Sequence, residues 1–325
     1  MAGIYISRRI FDEAVEMLEE EGHDIEINDT SRILSKRELI EKTRGKEGLV
    51  CLLNDEIDEE FLDSCPDLRI LSNVAVGYDN IDIDAATERD VMVTNTPGVL
   101  TDTTADLAFT LLMSAARRIP EADDYSRKDK YEGWELMQPH MGVDVHGKTL
   151  GIFGMGRIGE AVAKRGHNGF DMEIIYNDVE RRIELEDELD ADLVEFDELL
   201  ERSDFISIHA PLTPETKEAF GKEEFKKMKE DAILVNAARG PIVDEDALAG
   251  AIENNKIRGA AIDTFEDEPK VNPRLAKLRE FVVLAPHIGS ASEETRLEMA
   301  RMAANNVKAG LKGRKPPNLV NDKVL

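Results

Sequence analysis

Cysteine is nearly absent. Cys51, in "LVCLLND", and Cys65, in "DSCPDL", are the only two, and neither has metal-ligand spacing. Two thiols in a chain of this length make no disulfide framework, so both read as buried, inert groups and no metal is expected. Long apolar runs are also missing, and none approaches the roughly 20 residues needed to span a bilayer. Basic residues are scarce: 41 Lys and Arg face 68 Asp and Glu, a formal net charge of −27. Phosphate-rich partners would be repelled, which excludes nucleic acid and anionic membrane surfaces as partners. An anionic substrate would require the site to reverse this field locally, through an arginine, helix N-termini or backbone N–H groups.

What is present suits a folded chain with room for two cores. The 325 residues are 42% hydrophobic and 34% charged, as in globular proteins. The opening "MAGIYISRRIFDEAVEML" reads as a strand and then a helix, not as a leader segment, so a cytoplasmic protein is expected. Short β-rich runs ("GIYIS", "HDIEI", "GLVCLL", "RILSNVA", "VMVTN") alternate with amphipathic stretches, the pattern of βαβ units and parallel sheets. Near residue 100 this gives way to one long apolar helix, "TDTTADLAFTLLMSAARRIP", closed before Pro120, and then to a polar stretch holding the only tryptophan, Trp134. Strand–helix alternation restarts at "KTLGIFGMGRIGEA" and continues to "FVVLAPH". A last helix, "SEETRLEMARMAANNVKAGLKG", and a tail follow. The restart implies a second α/β domain inserted into the first: residues 1–99 with 288–325 as a substrate-binding domain, and 100–287 as a dinucleotide-binding domain.

The segment "GIFGMGRIGEA" places Gly154, Gly156 and Gly159 in G-x-G-x-x-G spacing after an apolar strand and at a helix start. The first glycine permits the tight turn and the second lets backbone approach a pyrophosphate. The third permits close strand–helix packing, and the helix start at Arg157 and Ile158 offers unpaired N–H groups. Asp178 ends the next strand, nineteen residues after Gly159. A carboxylate there binds the adenosine ribose and repels a 2′-phosphate, which favours NAD over NADP. Arg181 and Arg182 follow it, and are either phosphate ligands or solvated charges.

Three later strand ends carry groups able to do chemistry. "AILVNAARG" ends in Arg239, "GAAIDTFEDEP" carries Asp263 and Glu268, and "FVVLAPH" ends in His287. A guanidinium can grip a carboxylate with two bonds, and a carboxylate beside an imidazole orients it and favours its protonated form. Together these are what reduction of a keto acid requires. Singly, each has a plainer explanation: a helix cap for Arg239, a surface acid for Glu268, a loop residue for His287. His209, in "ISIHAPLT", also ends a strand and rivals His287 as the acid.

In "VAVGYDNID", "TNTPGVLTDTTADLAFTLL", "GKTLGIFGMGRIGEA", "HAPLTPET", "LVNAARGPIVDEDAL", "DTFEDEP" and "PHIGSAS" the chain resembles the D-isomer-specific 2-hydroxyacid dehydrogenases over essentially its full length. The stretches around Thr101–Arg118 and Gly147–Gly159 are most similar to the glyoxylate and hydroxypyruvate reductase branch. The resemblance implies a Rossmann NAD-binding domain inserted into a flavodoxin-like substrate domain, with the active site in the cleft between two doubly wound sheets. It implies that His287, paired with Glu268, is the acid/base. Arg239 would hold the substrate carboxylate and carbonyl, and the backbone of Val76 and Gly77 would hold the carboxylate. Cofactor contacts would come from Thr104, the Gly154–Gly159 loop, Asp178, His209, Pro211, Thr216, Ala237, Asp263 and Gly289, with Asp263 on the nicotinamide amide. It further implies a homodimer formed through residues 101–147, acting on a small 2-keto or 2-hydroxy acid. D-3-phosphoglycerate or D-lactate oxidation, or a redox-sensing corepressor role, are the alternatives.

Overall fold

The computed structural model describes residues 1–30 and 32–325. Two units divide the chain: Met1–Leu100 with Ala291–Leu325, and Thr101–Ser290. The exchanges fall at 100/101 and 290/291, where the sequence pattern placed them at 99/100 and 287/288.

The first unit holds a five-stranded parallel sheet of β1 (Gly3–Ile6), β2 (Asp24–Ile27), β3 (Gly48–Cys51), β4 (Ile70–Asn73) and β5 (Met92–Thr94). Its order is β2-β1-β3-β4-β5, the flavodoxin-like arrangement. β3 and β4 are buried at every residue, because helices cover both faces; β3 is continuously apolar, whereas β4 buries Ser72 and Asn73, whose side chains donate to the Ala303 and Gly77 carbonyls. The connecting helices are α1 (Asp12–Glu19), α2 (Lys36–Thr43), α3 (Glu59–Ser64) and α4 (Ile83–Glu88); α1 starts after Phe11 without a side-chain cap, and the other three start where a side chain satisfies an orphan N–H. Ser35 and Glu38 form a capping box on α2, and Asp58 and Asp82 cap α3 and α4. One face of this sheet packs Leu49, Leu71, Val93 and Phe61. The other packs Ile4, Ile6 and Ile70 against Ala300, Ala304 and Val307 of the last helix.

The second unit opens with α5 (Thr101–Ala116) and α6 (Ile119–Arg127). A seven-stranded parallel sheet follows: β6 (Thr149–Phe153), β7 (Glu173–Asn177), β8 (Asp192–Leu193), β9 (Phe205–Ile208), β10 (Ile233–Asn236), β11 (Gly259–Ile262) and β12 (Val282–Leu284). Its order is β12-β11-β10-β9-β6-β7-β8, the Rossmann order with an added edge strand. The crossovers carry α7 (Arg157–Phe170), α8 (Ile183–Leu189), α9 (Phe196–Arg202), α10 (Lys222–Lys227) and α11 (Glu245–Glu253). The chain then re-enters the first unit as α12 (Glu293–Leu311), capped by Ser292.

One local expectation needs correction. The long helix ends at Ala116, not at Pro120. Arg118 takes a left-handed conformation (φ 53°), and Pro120 lies in the first turn of α6, where its missing N–H costs nothing. His167 lies in the last turn of α7. The C-terminal tail is packed: Leu319 bridges Thr94 of β5, and Asn321 Oδ1 accepts from the Val93 N–H at 2.8 Å. Both cysteines are buried, and burial pushes the Cys65 thiol up to about 11 and the Cys51 thiol well above its usual value.

The excess acid lies on the surface, where pairs such as Arg9–Asp12 and Arg32–Glu38 are well exposed and each contributes little. Net repulsion should therefore dominate the response to salt. Going from about 0.1 M to about 1 M KCl shortens the screening length from about 10 Å to about 3 Å. The melting temperature is expected to rise across that range, as differential scanning fluorimetry can record. A flat or falling melting temperature would mean that local attractive pairs outweigh the net charge of −27.

Candidate active site

In a doubly wound sheet, ligand groups collect beyond the carboxyl ends of the strands, at the point where strand order reverses. In the second unit that point lies between β6 and β9. The turn after β6 begins with Gly154 at φ 95°, where a Cβ would come within 2.4 Å of the Ala210 backbone nitrogen. Only glycine fits. At Gly159 a Cβ would lie 2.2 Å from the Gly154 carbonyl oxygen, so this glycine sets how closely α7 approaches the turn. Gly156, the N-cap of α7, is different: a Cβ there meets no protein atom within 4 Å, and the space in front of it is open. The N–H groups of Gly156, Arg157, Ile158 and Gly159 have no protein acceptor among the described residues, as a helix start awaiting an anion should.

Asp178, at the end of β7, accepts from Met155 N at 2.6 Å and from Glu180 N at 3.0 Å, so it holds the glycine turn in place as well as ending the strand. Arg181 is engaged by Glu186 through both Nε and Nη2. Arg182 donates to the Met155 carbonyl at 2.7 Å and lies 3.3 Å from Glu160. Both arginines already have partners. His209, after β9, donates its backbone N–H to Phe153 O at 2.8 Å and pairs Nε2 with Ser207 Oγ at 2.8 Å. Its Nδ1 is shielded and has no partner among the described residues. Burial pushes this ring down to about 3, which favours its neutral form. Thr216 closes the following loop on itself, donating to the Pro211 carbonyl at 2.6 Å and accepting from Thr213 N at 2.8 Å. Ala237 is buried just after β10.

Arg239, Glu268 and His287 follow β10, β11 and β12, three adjacent strands. His287 Nδ1 lies 2.8 Å from Glu268 Oε2 and 3.1 Å from Oε1. The two side chains are 31% and 28% exposed, so the pair is partly desolvated yet open to proton exchange. Burial alone would raise the Glu268 carboxyl. The hydrogen bond and charge of His287, the Phe265 N–H and the charge of Arg239 outweigh it and leave the group below its usual value. Glu268 therefore keeps its charge through the range in which imidazole titrates.

The loops behind the pair are built tightly. A Cβ at Gly240, next to Arg239, would meet the Phe265 carbonyl carbon at 1.9 Å, so the β10 and β11 loops touch through backbone. Glu245, 4% exposed, accepts from Glu266 N at 2.9 Å and braces the segment carrying Glu268. Nothing in the spacing of "VDEDAL" separates this glutamate from a surface acid, so sequence reasoning missed it. His287 has φ 52°, and its N–H donates to the Asp263 carbonyl at 2.8 Å. Asp263 Oδ1 and Oδ2 accept from Ile288 N and Gly289 N, both at 2.8 Å. Burial raises the Asp263 carboxyl, with those two N–H groups and the His287 charge opposing it. Asp263 thus latches the turn after His287. Gly289 leaves the space that a Cβ would fill at 3.3 Å from Thr104, a buried residue of α5, and 3.4 Å from Asp263. Val76 and Gly77, in the loop after β4, lie in the first unit.

A phosphate cradle at the switch point and a carboxylate–imidazole pair on neighbouring strand ends define an oxidoreductase dependent on a nicotinamide dinucleotide. Residues 109–289 match the family model described as D-isomer specific 2-hydroxyacid dehydrogenase, NAD binding domain. A glyoxylate reductase of Thermococcus litoralis is 48% identical over 99% of this chain and 97% of its own. A crystal structure of a Thermus thermophilus protein superposes with a TM-score of 0.92 at 39% identity, covering 98% of this chain and 99% of that one. An NADPH-dependent glyoxylate/hydroxypyruvate reductase from Sinorhizobium meliloti, crystallised with NADP and malonate, superposes at 0.85 with 30% identity, covering 99% and 97%. The chain belongs to the D-isomer specific 2-hydroxyacid dehydrogenase family.

The glycines separate folding from binding. Gly154→Ala should destabilise the protein by at least about 1–3 kcal/mol from the left-handed backbone alone. Gly156→Ala should keep the wild-type melting temperature and weaken NADH binding, measured by fluorescence titration. Unchanged NADH affinity in Gly156→Ala would remove this turn from the cofactor site.

Proposed function

We propose that this protein reduces a small 2-keto acid, glyoxylate or hydroxypyruvate, to the D-2-hydroxy acid with NADH. The observation that carries the reading is the Glu268–His287 contact beside Arg239, on a chain 48% identical to a glyoxylate reductase. The Thr101–Ser290 unit would bind the dinucleotide through the Gly154–Gly159 turn, Asp178, Thr104, the His209–Thr216 loop, Ala237, Asp263 and Gly289. The other unit would bind substrate through Val76 and Gly77. When bound, the reduced nicotinamide supplies hydride to the keto carbon. His287, protonated, gives the carbonyl oxygen its proton, and Glu268 orients the ring and stabilises its charge. Arg239 holds the carboxylate and polarises the carbonyl. Such general acid catalysis contributes about 10²–10⁴ in rate.

NADH over NADPH is supported by Asp178 at the end of β7 and by the prior engagement of Arg181 and Arg182. We further read the protein as a cytoplasmic homodimer. Trp134, Leu136 and Met137 are 76%, 77% and 75% exposed, and a groove of about 950 Å³ runs between α5 and α7, lined by Phe109, Met113 and Phe170. Apolar surface of this extent suits a second copy of the chain.

A panel of 2-keto acids assayed with each cofactor tests substrate and cofactor together. NADH should give the higher kcat/KM, and Asp178→Ser should narrow the gap. Equal or better use of NADPH by the wild type would overturn the cofactor assignment.

The acid/base pair has a pH signature. Reduction needs a protonated ring and oxidation of the hydroxy acid a neutral one, and the Glu268 carboxylate lies 2.8 Å from the ring nitrogen. Glu268→Gln keeps the shape and removes the charge. The high-pH limit for reduction and the low-pH limit for oxidation should both move to lower pH in profiles of kcat/KM. Superimposable wild-type and variant profiles would exclude Glu268 as the partner.

A further inference from the structure

Three successive peptide units in the loop after β4 are gripped by their carbonyls. The Ala75 carbonyl accepts from Thr96 N, the Val76 carbonyl from Asn95 Nδ2 and the Gly77 carbonyl from Asn73 Nδ2, each at 2.8 Å. In a planar trans peptide the N–H of the next residue points opposite to the carbonyl. Fixing these three carbonyls therefore fixes the N–H groups of Val76, Gly77 and Tyr78, each pointing opposite to the carbonyl of its own peptide. None of those three donates to a protein acceptor among the described residues. A run of unpaired N–H groups with anchored carbonyls is a receptor for an anion.

The clamp is itself anchored. Asn73, 0% exposed, ends β4, and its Nδ2 also reaches Asn80 Oδ1 at 3.2 Å, while Asn80 donates to the Leu52 and Asp55 carbonyls. Asn95 follows β5, and its own carbonyl accepts from Asn306 of α12 at 3.2 Å. The two side chains that turn the loop thus come from adjacent strand ends of one sheet. They are neutral amides, which donate to the loop without placing a counter-charge that would pair with the protein's own acids.

We propose that Asn73 and Asn95 are positioning residues for keto-acid reduction, holding the Gly77 and Tyr78 N–H groups in the direction that receives the substrate carboxylate. The inference rests on the reading that the Val76–Gly77 backbone binds that carboxylate. A carboxylate lies outside the reacting carbonyl, so its contacts act alike on bound substrate and transition state. Their loss should appear in KM and leave kcat nearly unchanged.

The experiment compares Asn95→Ala, Asn95→Gln, Asn73→Ser, Gly77→Ala and Gly77→Pro in glyoxylate reduction, with NADH affinity and melting temperature recorded for each. Asn95→Ala is expected to raise the glyoxylate KM about tenfold, the scale of one hydrogen bond to a charged group. Its kcat should stay within about twofold and its NADH affinity at the wild-type value. Asn95→Gln, which keeps a donor, should recover part of the loss. Should Asn73→Ser fail to fold, the Asn95 pair decides alone. Gly77→Pro deletes the N–H that Gly77→Ala keeps, and so probes the underlying reading. If Gly77→Pro raises KM and the asparagine variants do not, the positioning role is wrong while the backbone site stands. If Gly77→Pro, with wild-type NADH affinity, keeps the Gly77→Ala KM, the backbone site itself is wrong and the proposal falls with it.

Discussion

A carboxylate 2.8 Å from an imidazole nitrogen is the contact on which the second unit's loops converge. Left alone, a half-buried glutamate would rise toward neutrality and the ring would rotate. Each surrounding feature opposes one of these outcomes. The Phe265 N–H donates to Glu268 Oε1 at 3.0 Å, and Glu245 pins the next peptide. Gly240 lets the Arg239 loop touch Phe265 backbone to backbone, which brings the guanidinium charge to bear on Glu268. A left-handed non-glycine residue costs about 1–3 kcal/mol, and His287 is one. Asp263 offsets that cost with two N–H bonds to the following residues, in a setting where burial works against its own charge.

The second constraint is global. A chain of net charge −27 repels an anionic substrate at long range, so attraction at the site falls to local groups. Arg239 is the one guanidinium among the three strand-end groups, and its charge is shared with Glu268. Once His287 is protonated, these three groups sum to a single positive charge. Backbone N–H groups add attraction without adding a titratable group, both at the start of α7 and in the loop after β4.

The parts of this arrangement legible in the sequence are those where one residue type at one place is physically required. Gly154 and Gly159 were readable because backbone lies where any Cβ would go. The buried strands were readable because both faces of a parallel sheet are covered, and the five- and seven-stranded sheets follow from their alternation with helices. What was not legible depends on tertiary partners. Pro120 signals a helix end or a helix start equally well, and the left-handed turn at Arg118 decides between them. The tail looks like a solvated strip until Asn321 is seen to pair with β5. Glu245, Asn73 and Asn95 resemble surface polar residues, because their meaning lies in which carbonyl or N–H they meet.

The two strand-end histidines show why a residue at the right place in a fold is not yet a functional group. His209 follows β9, an interior strand at the switch point, and His287 follows β12, the edge strand of the same sheet. The interior position strips water from the His209 ring and supplies only a hydroxyl, Ser207, as partner, so the charged form is lost to about pH 3. A neutral ring there is held by Ser207 and can serve shape and hydrogen bonding. At the edge, solvent remains in reach, and the loop after β11 brings a carboxylate that is itself kept ionised. Strand order, more than residue type, separates the carboxylate-paired, partly exposed imidazole from the shielded one.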